Sequence, residues 1–239
     1  MIAGLSKAVI LYLAPLLSLT AILLSLFALL APTMLLHDQV ALLTVLPSTT
    51  LVQPGPSQAV DGPSVFMGVL GSCSKPNNAA QINCTAPVIS PVYDLSVLPG
   101  SSPSLLLSAP TATSPVFIAL AIAFSIMFFL TFTLISFRHK LGGKMTAILD
   151  KPVLQRLSAW VGFFGFIVGL TSFLIIRMWF GKAVQDFNAS IALQGQQGPK
   201  LVASTGNAFT MVWVAYAFYA VPIIASLTKL NIYTEYIIP

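Results

Sequence analysis

Four long apolar stretches constrain this chain more than anything else in its sequence. They run from about Ala8 to Ala31, Pro115 to Phe137, Leu157 to Phe180 and Ala208 to Leu227. Three carry no charge, and the third carries only Arg177, close to its end. A helix needs about 20 mainly apolar residues to cross about 30 Å of hydrocarbon. Backbone groups that cannot reach water there must be paired inside the segment, so each stretch is expected to be a transmembrane helix. Composition agrees, with 56% hydrophobic and 7% charged residues, against about a quarter charged in an ordinary soluble domain. Six acids and eleven bases cannot cover a soluble fold of 239 residues. The first stretch is read as a retained helix and not a cleaved leader. Its apolar run exceeds the roughly 7–15 residues of a leader core, and no clean small-x-small site follows.

Basic residues in short loops orient such a chain, because they stay on the cytoplasmic side. The segment of about 138–156 carries Arg138, Lys140, Lys144, Lys151 and Arg156, with Asp150 as its one acid. The much longer segment of about 34–114 has a single base, Lys75. The first is therefore expected to be cytoplasmic, as are both termini, and the segments of about 34–114 and 181–207 to lie outside. Trp160 and Trp179 fall at the two ends of the third stretch, where an interfacial aromatic belt would put them. Arg177 is then within snorkelling reach of the outer headgroups.

Two cysteines, Cys73 and Cys84, are separated by ten residues in the long outer segment, around a Pro76-Asn77-Asn78 turn signal. In an oxidising compartment one disulfide is expected, two free thiols being the alternative. No metal pattern is built from two cysteines and the distant His37 and His139, and no cofactor is expected. Asn83 and Asn188 head Asn-x-Ser/Thr sequons, both in segments assigned outside, and are candidate glycosylation sites. Apolar runs at 40–46, 49–53 and 65–70, punctuated by Pro47, Pro54-Gly55-Pro56 and Asp61-Gly62-Pro63, are expected to form strands. The stretch Pro99 to Thr113 has turn composition and is expected to be mobile. The fold class is thus all-α transmembrane: one tetraspan domain, a four-helix bundle with a small disulfide-stapled antiparallel sheet formed by the outer loops.

The run Gly68-Val69-Leu70-Gly71-Ser72-Cys73, ten residues, then Cys84 and later Tyr93-Asp94-Leu95 resembles the claudin-superfamily signature. With Gly71 shortly before the first cysteine and Tyr93-Asp94-Leu95 after the second, it looks like the fungal claudin-like branch that contains PalI and the tetraspan proteins of eisosome membranes. Leu70 stands where claudins carry tryptophan. The resemblance marks Gly68, Leu70, Gly71, Tyr93 and Asp94 as motif residues. It implies a plasma-membrane protein that organises a membrane domain or assists a sensor.

The remaining features point to contact and not to chemistry. Gly162, Gly165 and Gly169 on the third stretch let helices approach closely, either between copies of the chain or inside one bundle. Ser125, Thr131, Thr133 and Ser136 can bond back to their own helix. An ionisable residue deep in a span would be the default sign of a transport path, and only Arg177 comes near one. The acids are scattered, with no motif joining them to His37, so no enzyme is expected. The five bases of 138–156 either contact anionic lipids or only enforce topology. Leu141-Gly142-Gly143 favours a flexible loop there. A charge of +5, scattered along the chain, offers no nucleic-acid surface. The expected partners are membrane lipids and either further copies of the chain or a larger membrane protein, such as a channel or cell-wall synthase.

Overall fold

The computed structural model describes residues 9–53, 55, 60–103, 111, 113–140 and 142–235, without the side chains of 9–10, 139, 144 and 229–235. The expected helix start at Ala8, the Lys144 side chain and most of the Pro99–Thr113 stretch lie outside that description. After a π-helical turn at Val9–Leu13 come α1 (Ala14–Leu30), β1 (Leu43–Pro47), β2 (Ser64–Met67), β3 (Ser72–Lys75) and β4 (Asn83–Cys84). Then follow α2 (Thr113–Ser136), a 3-10 turn at Arg138–Lys140, α3 (Gly143–Leu149), α4 (Pro152–Gln194), β5 (Leu201–Thr205) and α5 (Ala208–Glu235). Helices α1, α2, α4 and α5 are long and apolar enough to cross a membrane.

The chain divides into two compact units. The first comprises Met1–Leu26, Phe117–Thr171 and Val212–Pro239. Its core draws on four helices: Ala14 and Ala21 of α1, Phe128 and Phe132 of α2, and Ala215, Tyr219 and Ile223 of α5, with Phe163 and Phe166 of α4 packed against them. Aromatic edges join the helices, Phe128 meeting Tyr219 at 5.6 Å and Phe166 meeting Tyr216 at 5.6 Å between centroids. Such pairs add to the area they bury because ring edges and faces carry opposite partial charge. Large apolar side chains on the outer faces of these helices, among them Leu16, Leu130, Phe164 and Ile224, are exposed.

The second unit comprises Phe27–Val116 and Ser172–Met211. Its centre is a five-stranded sheet in the order β4-β3-β2-β1-β5, and every neighbouring pair is antiparallel. Val45 of β1 lies opposite Val65 on one side and Ala203 on the other. All three are buried.

Several boundaries depart from the sequence reading: α5 runs to Glu235 and not to Leu227, and the run 65–70 is a strand only as far as Met67. The third helix does not stop at Phe180 but runs to Gln194, for 43 residues in all. At 1.5 Å per residue that is about 65 Å, roughly twice the hydrocarbon thickness. Apolarity ends near Phe180, but helical periodicity does not. Ala183, Phe187 and Ile191, four residues apart, are all buried, and they give the polar half of α4 an inward face. Arg177 accordingly sits well inside α4, with its guanidinium 5.3 Å from the centre of the Phe209 ring. The segment 138–156 is not a flexible loop either. It holds a 3-10 turn, α3 and the first residues of α4. Thr146 donates its hydroxyl to the Arg138 carbonyl at 3.1 Å, and Pro152, whose fixed φ suits a first helical residue, opens α4 at once. Finally, the run 49–53 is a turn, closed by the N–H groups of Val52 and Gln53 on the Thr49 carbonyl.

Candidate functional site

The residues marked by the claudin-like pattern gather at one turn of the second unit. Residues 68–71 link β2 to β3, and the Gly68 N–H donates to the Gly71 carbonyl at 2.8 Å. The turn presses so closely on the chain after α1 that a Cβ on Gly68 would collide with the Ala31 carbonyl and the Pro32 ring. A Cβ on Gly71 would meet Thr85 Oγ1 and the Thr33 methyl. Glycine is required at both positions for room. The Leu70 carbonyl accepts from the Val88 N–H at 3.0 Å, and the Tyr93 hydroxyl donates to the Gly68 carbonyl at 2.8 Å. The Asp94 N–H donates to Ser72 Oγ at 2.9 Å, and the Asp94 carboxylate accepts from the Ser96 N–H at 3.0 Å. Burial pushes the Tyr93 phenol above its usual range, so it stays a neutral donor. The hydrogen bonds from Ser96 hold the Asp94 carboxyl below its usual value.

The staple lies directly beside this turn. Cys73 and Cys84 face each other across β3 and β4 and are joined by a disulfide. Cys73 is fully buried with Ala41 and Phe66, whereas Cys84 is exposed. Thr85 reinforces the closure: its hydroxyl accepts from the Ser72 N–H at 3.0 Å and donates to the Ser72 carbonyl at 3.2 Å. His37, distant in sequence, comes to the same place. Its Nδ1 lies 2.6 Å from the Pro32 carbonyl and 3.5 Å from Cys84 Sγ. A carbonyl only accepts, so Nδ1 carries the proton. His37, Cys73 and Cys84 offer donor atoms within 4.8 Å of one another, but metals bind thiolate, and both sulfurs are taken up in the bridge. Next to it, Lys75 pairs with Asp38 at 2.9 Å, and that hydrogen bond and charge hold the Asp38 carboxyl below its usual range.

The two sequon asparagines have different surroundings. Asn83 is exposed on the edge strand β4. Asn188 lies inside α4 with both ends of its amide engaged: Nδ2 donates to the Ala203 carbonyl and Oδ1 accepts from the Ala203 N–H, both at 2.8 Å. Because β5 is the last strand of the sheet, these backbone groups would otherwise be open. The Asn188 amide takes the place of a neighbouring strand. Asn207 serves the segment before β1 similarly, its Nδ2 donating to the Gln39 carbonyl at 2.7 Å. Neither role was legible in the sequence. The only signal for Asn188 is that asparagine is a poor helix interior residue without a partner.

In the first unit the three glycines face inward. A Cβ at Gly162 would strike the Phe128 ring, one at Gly165 would lie 2.9 Å from Phe124 Cβ, and one at Gly169 would meet Tyr216 and Ala121. Their small size serves packing within the chain. The hydroxyls of Ser125 and Thr131 bond back to Ala121 and Met127, each at 2.9 Å. Those of Thr133 and Ser136 are buried and make no hydrogen bond among the described residues. Arg138 pairs with Asp150 at 2.8 Å, and Lys140 lies 5.8 Å from the centre of the Phe137 ring. Lys151 and Arg156 are exposed. No family model matches the chain, and no curated protein matches it.

Proposed function

We propose that this chain is a non-enzymatic tetraspan scaffold of the plasma membrane, with both termini cytoplasmic, and that it belongs with the fungal claudin-like proteins it resembles. One observation carries the reading: Gly68, Gly71, Tyr93 and Asp94, far apart in type and partly in sequence, converge on one turn beside the Cys73–Cys84 bridge. Such a rigid, stapled outer unit is suited to presenting a fixed surface to a neighbour. The contact surface has an apolar strip to work with, because Val88, Ile89 and Val92 of the same unit are exposed. The occupant we assign to that strip is a second copy of the chain.

Purification from native membranes in a mild detergent, followed by mass determination, tests this. Homo-oligomers are expected, and the Cys73→Ser and Val88→Ser/Ile89→Ser/Val92→Ser variants should dissociate towards the monomer. A wild-type protein that is monomeric throughout would remove the reading. Recovery of one large enzyme or channel in fixed ratio would replace it with that of an accessory subunit.

A further inference from the structure

The short segment between α2 and α4 has an unusual combination of properties, all within the first unit. Among the residues 138–156 the only acid is Asp150, and Arg138 neutralises it. Lys140, Lys151 and Arg156 are exposed and pair with no carboxylate among the described residues. Interleaved with them, Met145 and Ile148 of α3 and Val153 of α4 are exposed, Val153 to 73%. Helix α3 itself is seated against the chain, since Leu149 is buried and Thr146 is tied to the Arg138 carbonyl. The apolar side chains are thus held outward by the fold.

What covers them follows from their position in the chain. The exposed apolar rows of the flanking helices, Leu130 and Leu134 before the segment and Leu157 and Trp160 after it, lead directly into it. If those rows face lipid, the segment lies where acyl chains give way to headgroups. Apolar side chains beside unpaired cations at that depth match a surface of anionic lipid. Near such a surface each basic residue strengthens attraction by about fivefold.

We propose that residues 138–156 form an interfacial anchor for anionic phospholipids. Met145, Ile148 and Val153 enter the acyl boundary, and Lys140, Lys151 and Arg156 engage the headgroups. This rests on the membrane-spanning reading of the flanking helices. The test uses the full chain in liposomes, with Trp179→Phe and Trp213→Phe leaving Trp160 as the reporter at the end of the segment. Brominated phosphatidylserine and brominated phosphatidylcholine are supplied in turn at equal mole fraction, and quenching of Trp160 is read. Severalfold stronger quenching by the serine lipid is expected, with the ratio falling towards unity in K140Q/K151Q/R156Q and at high salt. Equal quenching in the wild type, or an unchanged ratio in the charge variant, overturns the anchor while leaving the spanning helices intact. Absence of quenching by either lipid overturns the membrane reading and the anchor with it.

Discussion

At the residue scale, the close approaches of glycine decide more than its flexibility does. Gly68 is squeezed against a backbone carbonyl, which cannot swing away as a side chain can. Gly142 has open space around it and an ordinary φ of −65°. Gly68→Ala is therefore expected to destabilise the second unit by about 1–3 kcal/mol, whereas Gly142→Ala should stay within about 0.5 kcal/mol of the parent. Thermal unfolding in detergent distinguishes them, and equal shifts would contradict the packing described for the 68–71 turn. Loss of the bridge through Cys73→Ser should cost about 3 kcal/mol in the chain-entropy model. The cysteine pairing was legible because two cysteines in one segment leave one partner each. The positions of His37 and Thr85 beside the bridge were not, since each depends on where the chain returns after a turn.

At the element scale, α4 shows how apolarity and helicity separate. The hydrophobic run marks the part of the helix that can face lipid. The helix itself persists while Ala183, Phe187 and Ile191 keep one face buried. Its polar half then holds β5 through Asn188. Proline at the exposed position 189 would remove a helical hydrogen bond and clash with the preceding turn. Ala189→Pro is accordingly expected to cost about 3 kcal/mol and to release β5 from the sheet edge. Faster amide exchange over Leu201–Thr205, with α1 and α2 unaffected, is the expected signature. Uniform protection would mean that β5 is held by β1 alone. Strands β3, β4 and β5 escaped the sequence reading for a related reason. Strands β3 and β4 are short and polar, so neither length nor apolar pattern announces them, and only pairing makes these segments strands: β3 with β2, β4 with β3 and β5 with β1.

At the scale of the whole molecule, the asymmetry of basic residues predicts which segments are reached from which side. Lys182 and Lys200, like Lys140 and Lys151, are exposed, so all four are open to a reagent that can reach them. In intact cells an impermeant amine reagent should label Lys182 and Lys200. Lys140 and Lys151 should react only after permeabilisation. Mass-spectrometric mapping reads the result directly, and the reverse pattern would invert the orientation proposed for every segment.

What the sequence determined by itself is the set of long apolar helices and the pairing of its two cysteines. Both follow from local composition: a run of apolar residues long enough to span, and two thiols near each other in one segment. Tertiary structure decided the rest. It set Asn188 against the edge of a strand and directed Gly162, Gly165 and Gly169 into the core of their own chain. It also carried α4 past its apolar end, and drew Gly68, Tyr93 and Asp94 to one turn beside the bridge. Each of these depends on a contact between residues far apart in the chain, and no window of sequence records which distant group will fill a given space.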